Sequence, residues 1–203
     1  KIGIARGSLL SMTAGDADRL EYILAGGPLD RCADAEHHAD KGEIVVDDQL
    51  LDDLGAFSHL EPRDGFSCIG RLRQPARPAP TRPLPQISAT AAAVYTRYMH
   101  PAIAQRVAAG QAGFINEHRQ VSVLFVNFTG FDYDADPQAG ARLQSYLREV
   151  FAVVRRYDGS VNLVDMGDKG SKYIVLFGAP IAHEDDPARA VSCALELLAL
   201  PVE

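Results

Sequence analysis

Residues able to do chemistry fall into a few short stretches of this chain. Gly167-Asp168-Lys169-Gly170-Ser171-Lys172 combines glycines, a hydroxyl and two lysines. Such a segment can cradle a phosphate, the backbone amides forming a nest and Lys169 or Lys172 supplying positive charge. The spacing is not G-x-x-x-x-G-K-[ST], so a turn between strands is the favoured reading. His183-Glu184-Asp185-Asp186 could ligate a metal. Its place just before a helical pattern favours capping, where acids suit the helix dipole. His37 and His38 are adjacent on a predicted helix and point about 100° apart, a poor chelate. Asp16 and Asp18 fall in a predicted loop and are expected to be solvated.

The elements that must position these residues can be read from hydrophobic pattern. Val121 to Phe128 is almost continuously apolar, rich in β-branched and aromatic residues, and reads as a buried strand. Thr129 to Asp132 breaks it, and Asp136-Pro137 marks a helix start. Leu143, Leu147, Val150, Phe151 and Val154 recur at helical spacing until Asp158-Gly159. Val161 to Leu163 and Tyr173 to Phe177 predict two strands flanking the glycine-punctuated segment, and a last helix follows Pro187. The order is βαββα.

This ordered set resembles the first half of a class III nucleotide cyclase domain. Val121-Ser-Val-Leu-Phe-Val-Asn127 and Gly130-Phe131 are similar to the family's opening strand and turn. Gly167-Asp168 is similar to the G-D that ends its second strand. Phe177-Gly-Ala-Pro180, His183 to Asp186 and Ala188-Arg-Ala-Val191 are similar to its third strand end and following helix. Earlier in the chain, Lys1 to Gly7, Glu21 to Pro28 and Gly42 to Val46 resemble elements of the second half of such a domain. Asp30 to Asp40 is expected to be the helix between them, Asp48 to Leu54 a short helix, and Gly65 to Leu72 a closing strand. The tandem arrangement is most like that of the soluble, bicarbonate-sensitive adenylyl cyclase group.

The resemblance implies an α+β fold with a ferredoxin-like βαββα(β) core. It divides the chain into the second half of one domain (1–73), a linker (74–89), a helical lead-in (90–120) and the first half of a second domain (121–203). The chain is therefore expected to be a fragment. The strand missing from the second domain is expected to be replaced by Lys1–Gly7 along the edge of Val121–Phe128, as in a circularly permuted domain, within a chain or swapped between two.

For chemistry, the resemblance implies two carboxylates holding Mg²⁺ or Mn²⁺ on a nucleoside triphosphate, with conversion of ATP to cyclic AMP and pyrophosphate in the intact protein. Asn127 stands at the first metal position and Asp168 at the second. A neutral amide is a poor ligand for such hard cations. The family's adenine-selecting lysine falls at Leu163, or at Val164 if the alignment slips by one. Its transition-state asparagine and arginine align near Asp30 and Asp34, and acids cannot stabilise charge developing on a phosphate. No catalytic residue is assigned, and Gly167, Lys169, Gly170, Ser171 and Lys172 are the only nucleotide-binding candidates. The expected role is a degenerate, supporting cyclase-homology region with no cofactor of its own. Its expected partner is a complementary cyclase-homology domain or a second copy of the chain. The alternative is a regulatory ligand-binding or dimerisation module without cyclase activity.

Composition bounds the rest. The chain is 47% hydrophobic with a net charge of −7, enough apolar content for a core and the wrong sign for a general nucleic-acid binder. No apolar run approaches the roughly 20 residues of a membrane span, and neither a membrane partner nor a secretory leader is expected. Cys32, Cys68 and Cys193 are widely spaced and read as reduced core thiols, which fits a cytoplasmic protein. Gln74 to Pro85 is dense in proline and arginine. It is predicted to be an extended tether with polyproline II bias, an SH3-type ligand being the other option. Thr90 to Ala109 has helical spacing, with a break at Pro101.

Overall fold

A computed structural model describes residues 1–54, 58–72, 78–111, 118–167 and 170–201, the side chains of 58, 59 and 72 excepted. The chain divides into two compact units. One is built mainly of Lys1–Leu10 and Ala25–Gln86, the other of Ser11–Leu24, Ile87–Met166 and Gly170–Glu203. Both are mixed α and β, the class expected.

The first unit is a four-stranded sheet in the order β1-β4-β6-β5, formed by β1 (Ile2–Ile4), β4 (Ile44–Asp47), β5 (Ser58–Arg63) and β6 (Phe66–Leu72). Helix α1 (Gly27–His37) packs on it through Ala35, which joins Ala39, Val45 and Cys68 in a buried cluster. Its N-terminal Pro28 has a ring-fixed φ suited to a first turn. A 3₁₀ turn at Asp48–Leu50 runs into the short α2 (Leu51–Leu54), and the Asp47 carboxylate accepts the amide of Gln49 at its start. The strand β5 has no counterpart in the sequence reading. Its signal was Asp64-Gly65, both at positive φ, the pair that a tight hairpin demands.

Strand β1 runs parallel to β4, Ile2 opposite Ile44 and Ile4 opposite Val46. The expected pairing of Lys1–Gly7 with Val121–Phe128 is therefore corrected: among the described residues β1 belongs to one sheet and Ser122–Phe128 to another. The physical reason lies in the chain that follows β1. Helix α1 covers β1 and β4 together, so the parallel pair and its covering helix bury one another's apolar faces within a single unit.

The second unit carries a three-stranded sheet, β7-β9-β8, from β7 (Ser122–Phe128), β8 (Ser160–Gly167) and β9 (Gly170–Phe177). Helices α5 (Ala139–Arg156) and α6 (Asp186–Leu198) supply its apolar layer. Leu143, Leu147, Val150, Phe151 and Val154 are all buried, with Tyr173, Val175, Phe177 and Cys193. The periodicity thus identified the face of α5 correctly. It begins at Ala139 rather than at Pro137, and just ahead of it the Asp136 carboxylate accepts the amide of Gln138 and pairs with Arg142. Strands β8 and β9 reach much further toward each other than the apolar residues alone suggested.

Two helices precede the sheet, α3 (Ala89–Thr96) and α4 (Pro101–Ala108), separated at Pro101 as predicted. Ser88 caps the first and the His100 ring nitrogen accepts an amide at the start of the second. A two-stranded hairpin of β2 (Leu10–Gly15) and β3 (Leu20–Ala25) lies largely within this unit. It is held by Gln144 of α5, whose amide oxygen accepts from the Gly15 amide at 2.9 Å while its nitrogen donates to the Gly15 carbonyl at 2.7 Å. The side chain thereby satisfies both backbone groups as a neighbouring strand would. No helix is long and apolar enough to cross a membrane among the described residues. Cys32, Cys68 and Cys193 are free thiols, the last two buried, and burial pushes Cys193 up to about 11.

Candidate functional site

The residues singled out around the opening strand converge where β7 ends and the β8–β9 hairpin approaches its tip. Asn127 lies directly across from Lys172, and Phe128 from Ser171. Residues opposite one another in an antiparallel pair share a face of the sheet. Gly170, at φ +82°, leaves room for the Asn127 amide: a Cβ there would lie 3.3 Å from its nitrogen. Lys172 reaches the other way, its ammonium 2.7 Å from a carboxylate oxygen of Asp165, and its side chain is only 13% exposed. A row of amide, ammonium and carboxylate crosses the three strands.

The loop after β7 packs on the opposite face, the one that carries Phe128 and Ser171. Asp132 accepts the amides of Asp134 and Ala135, an Asx turn that orders the backbone. Phe131 and Tyr133 stack with ring centres 6.0 Å apart, and the Arg142 guanidinium sits 5.4 Å from the centre of Phe131. The Tyr133 hydroxyl shares a 2.8 Å hydrogen bond with Ser171 and donates to the Met166 sulfur. Burial pushes the Tyr133 phenol up, against the opposing effect of the Ser171 hydrogen bond, so it stays protonated at neutral pH.

Of the candidates for phosphate binding, Gly170, Ser171 and Lys172 lie on β9, and Gly167 ends β8. Asp168 and Lys169 lie outside the described residues. Ser171 and Lys172 are already committed, to Tyr133 and Asp165. Leu163 is 44% exposed on β8 and Val164 is buried. Asp30 and Asp34 are exposed on α1 of the other unit, as are His37 and His38, the latter against Phe66.

His183 to Asp186 form a turn rather than a simple cap. The Asp186 carboxylate accepts the backbone amide of His183 at 2.9 Å, while Asp185 makes no side-chain cap and pairs with Arg189.

Asp16, expected to be solvated, is instead engaged within the second unit. Its carboxylate accepts the amides of Asp18 and Arg19 and a 2.5 Å hydrogen bond from Arg155. Burial raises its carboxyl, but Arg155 and the two amides outweigh this and hold it below the usual range. A carboxylate depressed on folding contributes stability above its unfolded pKa and loses it as the pH falls through the folded value. The Asp16→Asn protein is accordingly expected to lose less stability than wild type on acidification below about pH 4, as read from urea midpoints across the acid limb. Parallel curves for the two proteins would count against this role.

A divalent ion of the Mg²⁺ or Mn²⁺ type needs hard, preferably anionic oxygen ligands. The described side chains around Asn127 offer a neutral amide, an ammonium, and a carboxylate already bound to that ammonium. No group of three His, Cys, Asp or Glu able to hold a metal occurs among the described residues. This donor set does not fit the ion. The Lys172–Asp165 pair escaped the sequence reading, although its signal was present: opposite charges placed symmetrically, two residues before Gly167 and two after Gly170.

No protein-family profile matches the chain. It is similar to adenylate cyclase type 10. The human protein is 20% identical over 235 aligned positions, which cover 97% of this chain and 14% of that protein. The proteins of Rattus norvegicus and Oryctolagus cuniculus are 31% and 28% identical over 68 and 86 residues, 34% and 42% of this chain. The chain thus spans 14% of the human relative's length. The similarity supports a cyclase-related region.

Proposed function

We propose that residues 121–203 form a catalytically degenerate cyclase-homology half within a tandem class III cyclase. Its role is to support a complementary cyclase-homology domain, or a second copy of this chain, rather than to make cyclic nucleotide. The observation that carries this reading is the row Asn127–Lys172–Asp165, where a neutral amide holds the first position that the resemblance assigns to metal binding and an ammonium stands beside it. The absence of a lysine at Leu163 or Val164 agrees with it. In the intact protein the substrate is ATP, and the Mg²⁺ or Mn²⁺ that polarises the α-phosphate is held by the complementary domain. This chain contributes a shaped sheet face that carries Asn127, Lys172 and Asp165, with Ser171 and the loop at Phe131 to Tyr133 packed on the opposite face. The setting is cytoplasmic.

The test is a cyclase assay of the purified chain with Mn²⁺ and ATP or GTP, alone and mixed with an intact first domain from a relative. The expected result is silence alone and cyclic nucleotide on mixing. Activity of the chain alone overturns the proposal. Silence in both cases favours the regulatory ligand-binding or dimerisation module.

A further inference from the structure

The donor set at the end of β7 does more than fail to fit a divalent ion; it contains a cation of its own. Lys172 occupies the middle strand of the sheet, directly across from Asn127, and its ammonium contacts Asp165 on the far strand at 2.7 Å. The side chain is largely buried although it carries a full charge. Such burial is tolerated when the charge is paired and hydrogen-bonded. The three groups sum to zero charge with Asn127 neutral. With aspartate at 127 they would sum to −1, and removal of the lysine as well would leave two carboxylates on one sheet face.

We propose that Lys172 is the resident cation of this sheet face: its ammonium, paired with Asp165 beside the Asn127 amide, stands where a divalent ion would be held and keeps the face closed to Mg²⁺ and Mn²⁺. Asn127 and Lys172 act together in this. The amide removes the charge that would attract an ion, and the tethered ammonium both repels an incoming ion and occupies the Asp165 carboxylate. The face is thereby independent of metal concentration, as suits a supporting surface. This inference rests on the reading of the site as degenerate, but its test measures ion binding rather than cyclase activity, so each can fail without the other.

Mn²⁺ binding to the full chain is measured by electron paramagnetic resonance for wild type, Asn127→Asp, and Asn127→Asp with Lys172→Gln. Wild type is expected to leave Mn²⁺ free up to about 1 mM, and the double variant to bind at least about tenfold more tightly than Asn127→Asp alone. Circular dichroism establishes that each variant is folded. Lys172→Met replaces Lys172→Gln if the first pairing does not fold. The proposal is overturned by Mn²⁺ binding to wild type, by equal affinity of the single and double variants, or by a folded double variant that binds none.

Discussion

Gly3→Ala is expected to disrupt the first unit. The backbone of β1 lies so close to α1 that a Cβ at Gly3 would fall 2.1 Å from the Cys32 carbonyl oxygen and 2.5 Å from the Glu36 amide nitrogen. Both neighbours are main chain of a helix, so neither can rotate aside, and the Cys32 thiol already donates to the Gly3 carbonyl. Relief requires α1 to lift from the sheet, opening the cluster of Ala35, Ala39, Val45 and Cys68. Overpacking of this kind costs about 3 kcal/mol or more. Amide exchange should show β1 and β4 losing protection while β7 and β9 keep theirs. Retention of wild-type protection in β1 would mean that α1 does not sit on it as described.

Phe177→Ala is the second large effect, and it belongs to the other unit. Phe177 ends β9 fully buried. Its ring lies where a Cβ on Gly159 would meet it at 2.8 Å, so it packs into the space that the glycine leaves after α5. Alanine would empty that space beneath both α5 and β9. Truncation of a buried phenylalanine costs about 3–5 kcal/mol, a large part of the stability of a domain this size. The expected result is a marked fall in the urea midpoint of the second unit. A shift within the scatter of surface variants would show that the site collapses without cost.

Legibility in the sequence followed the type of interaction. Helix α5 was readable because Leu143, Leu147, Val150, Phe151 and Val154 repeat along one buried stripe, a property local to the segment. Strands β8 and β9 were read too short. Their extensions carry Asp165, Ser171 and Lys172, whose polar side chains interrupt the apolar pattern while their backbones remain in the ladder. The strand β5 is missed for a different reason: the closing strand is expected from Gly65, which the structure places with Asp64 at positive φ in the turn of a hairpin. At the candidate site Asn127 was identified by likeness to a family pattern. Lys172 was considered for phosphate, because its engagement by Asp165 depends on strand register and not on neighbours in the chain.

The resemblance also suggested a strand exchange that the fold does not adopt. Lys1–Gly7 has the right composition for an edge of β7, but composition does not choose a partner. Parallel pairing with β4, under the cover of α1, decided it. The clasp of Gly15 by Gln144 is similar, joining residues 129 positions apart through groups that any glutamine possesses.

By itself, then, the sequence determined the α+β class, the apolar face of α5, the break at Pro101, and the likeness to cyclases that the comparison with adenylate cyclase type 10 supports. These rest on periodicity, turn chemistry and motif order, which are properties of contiguous residues. Only the tertiary structure decided the partner of β1, the clasp on Gly15, and the pairing of Lys172 with Asp165 across from Asn127. Each of these depends on which backbone groups and charges are brought together at a distance in the chain, and burial makes such pairings strong enough to override local preference.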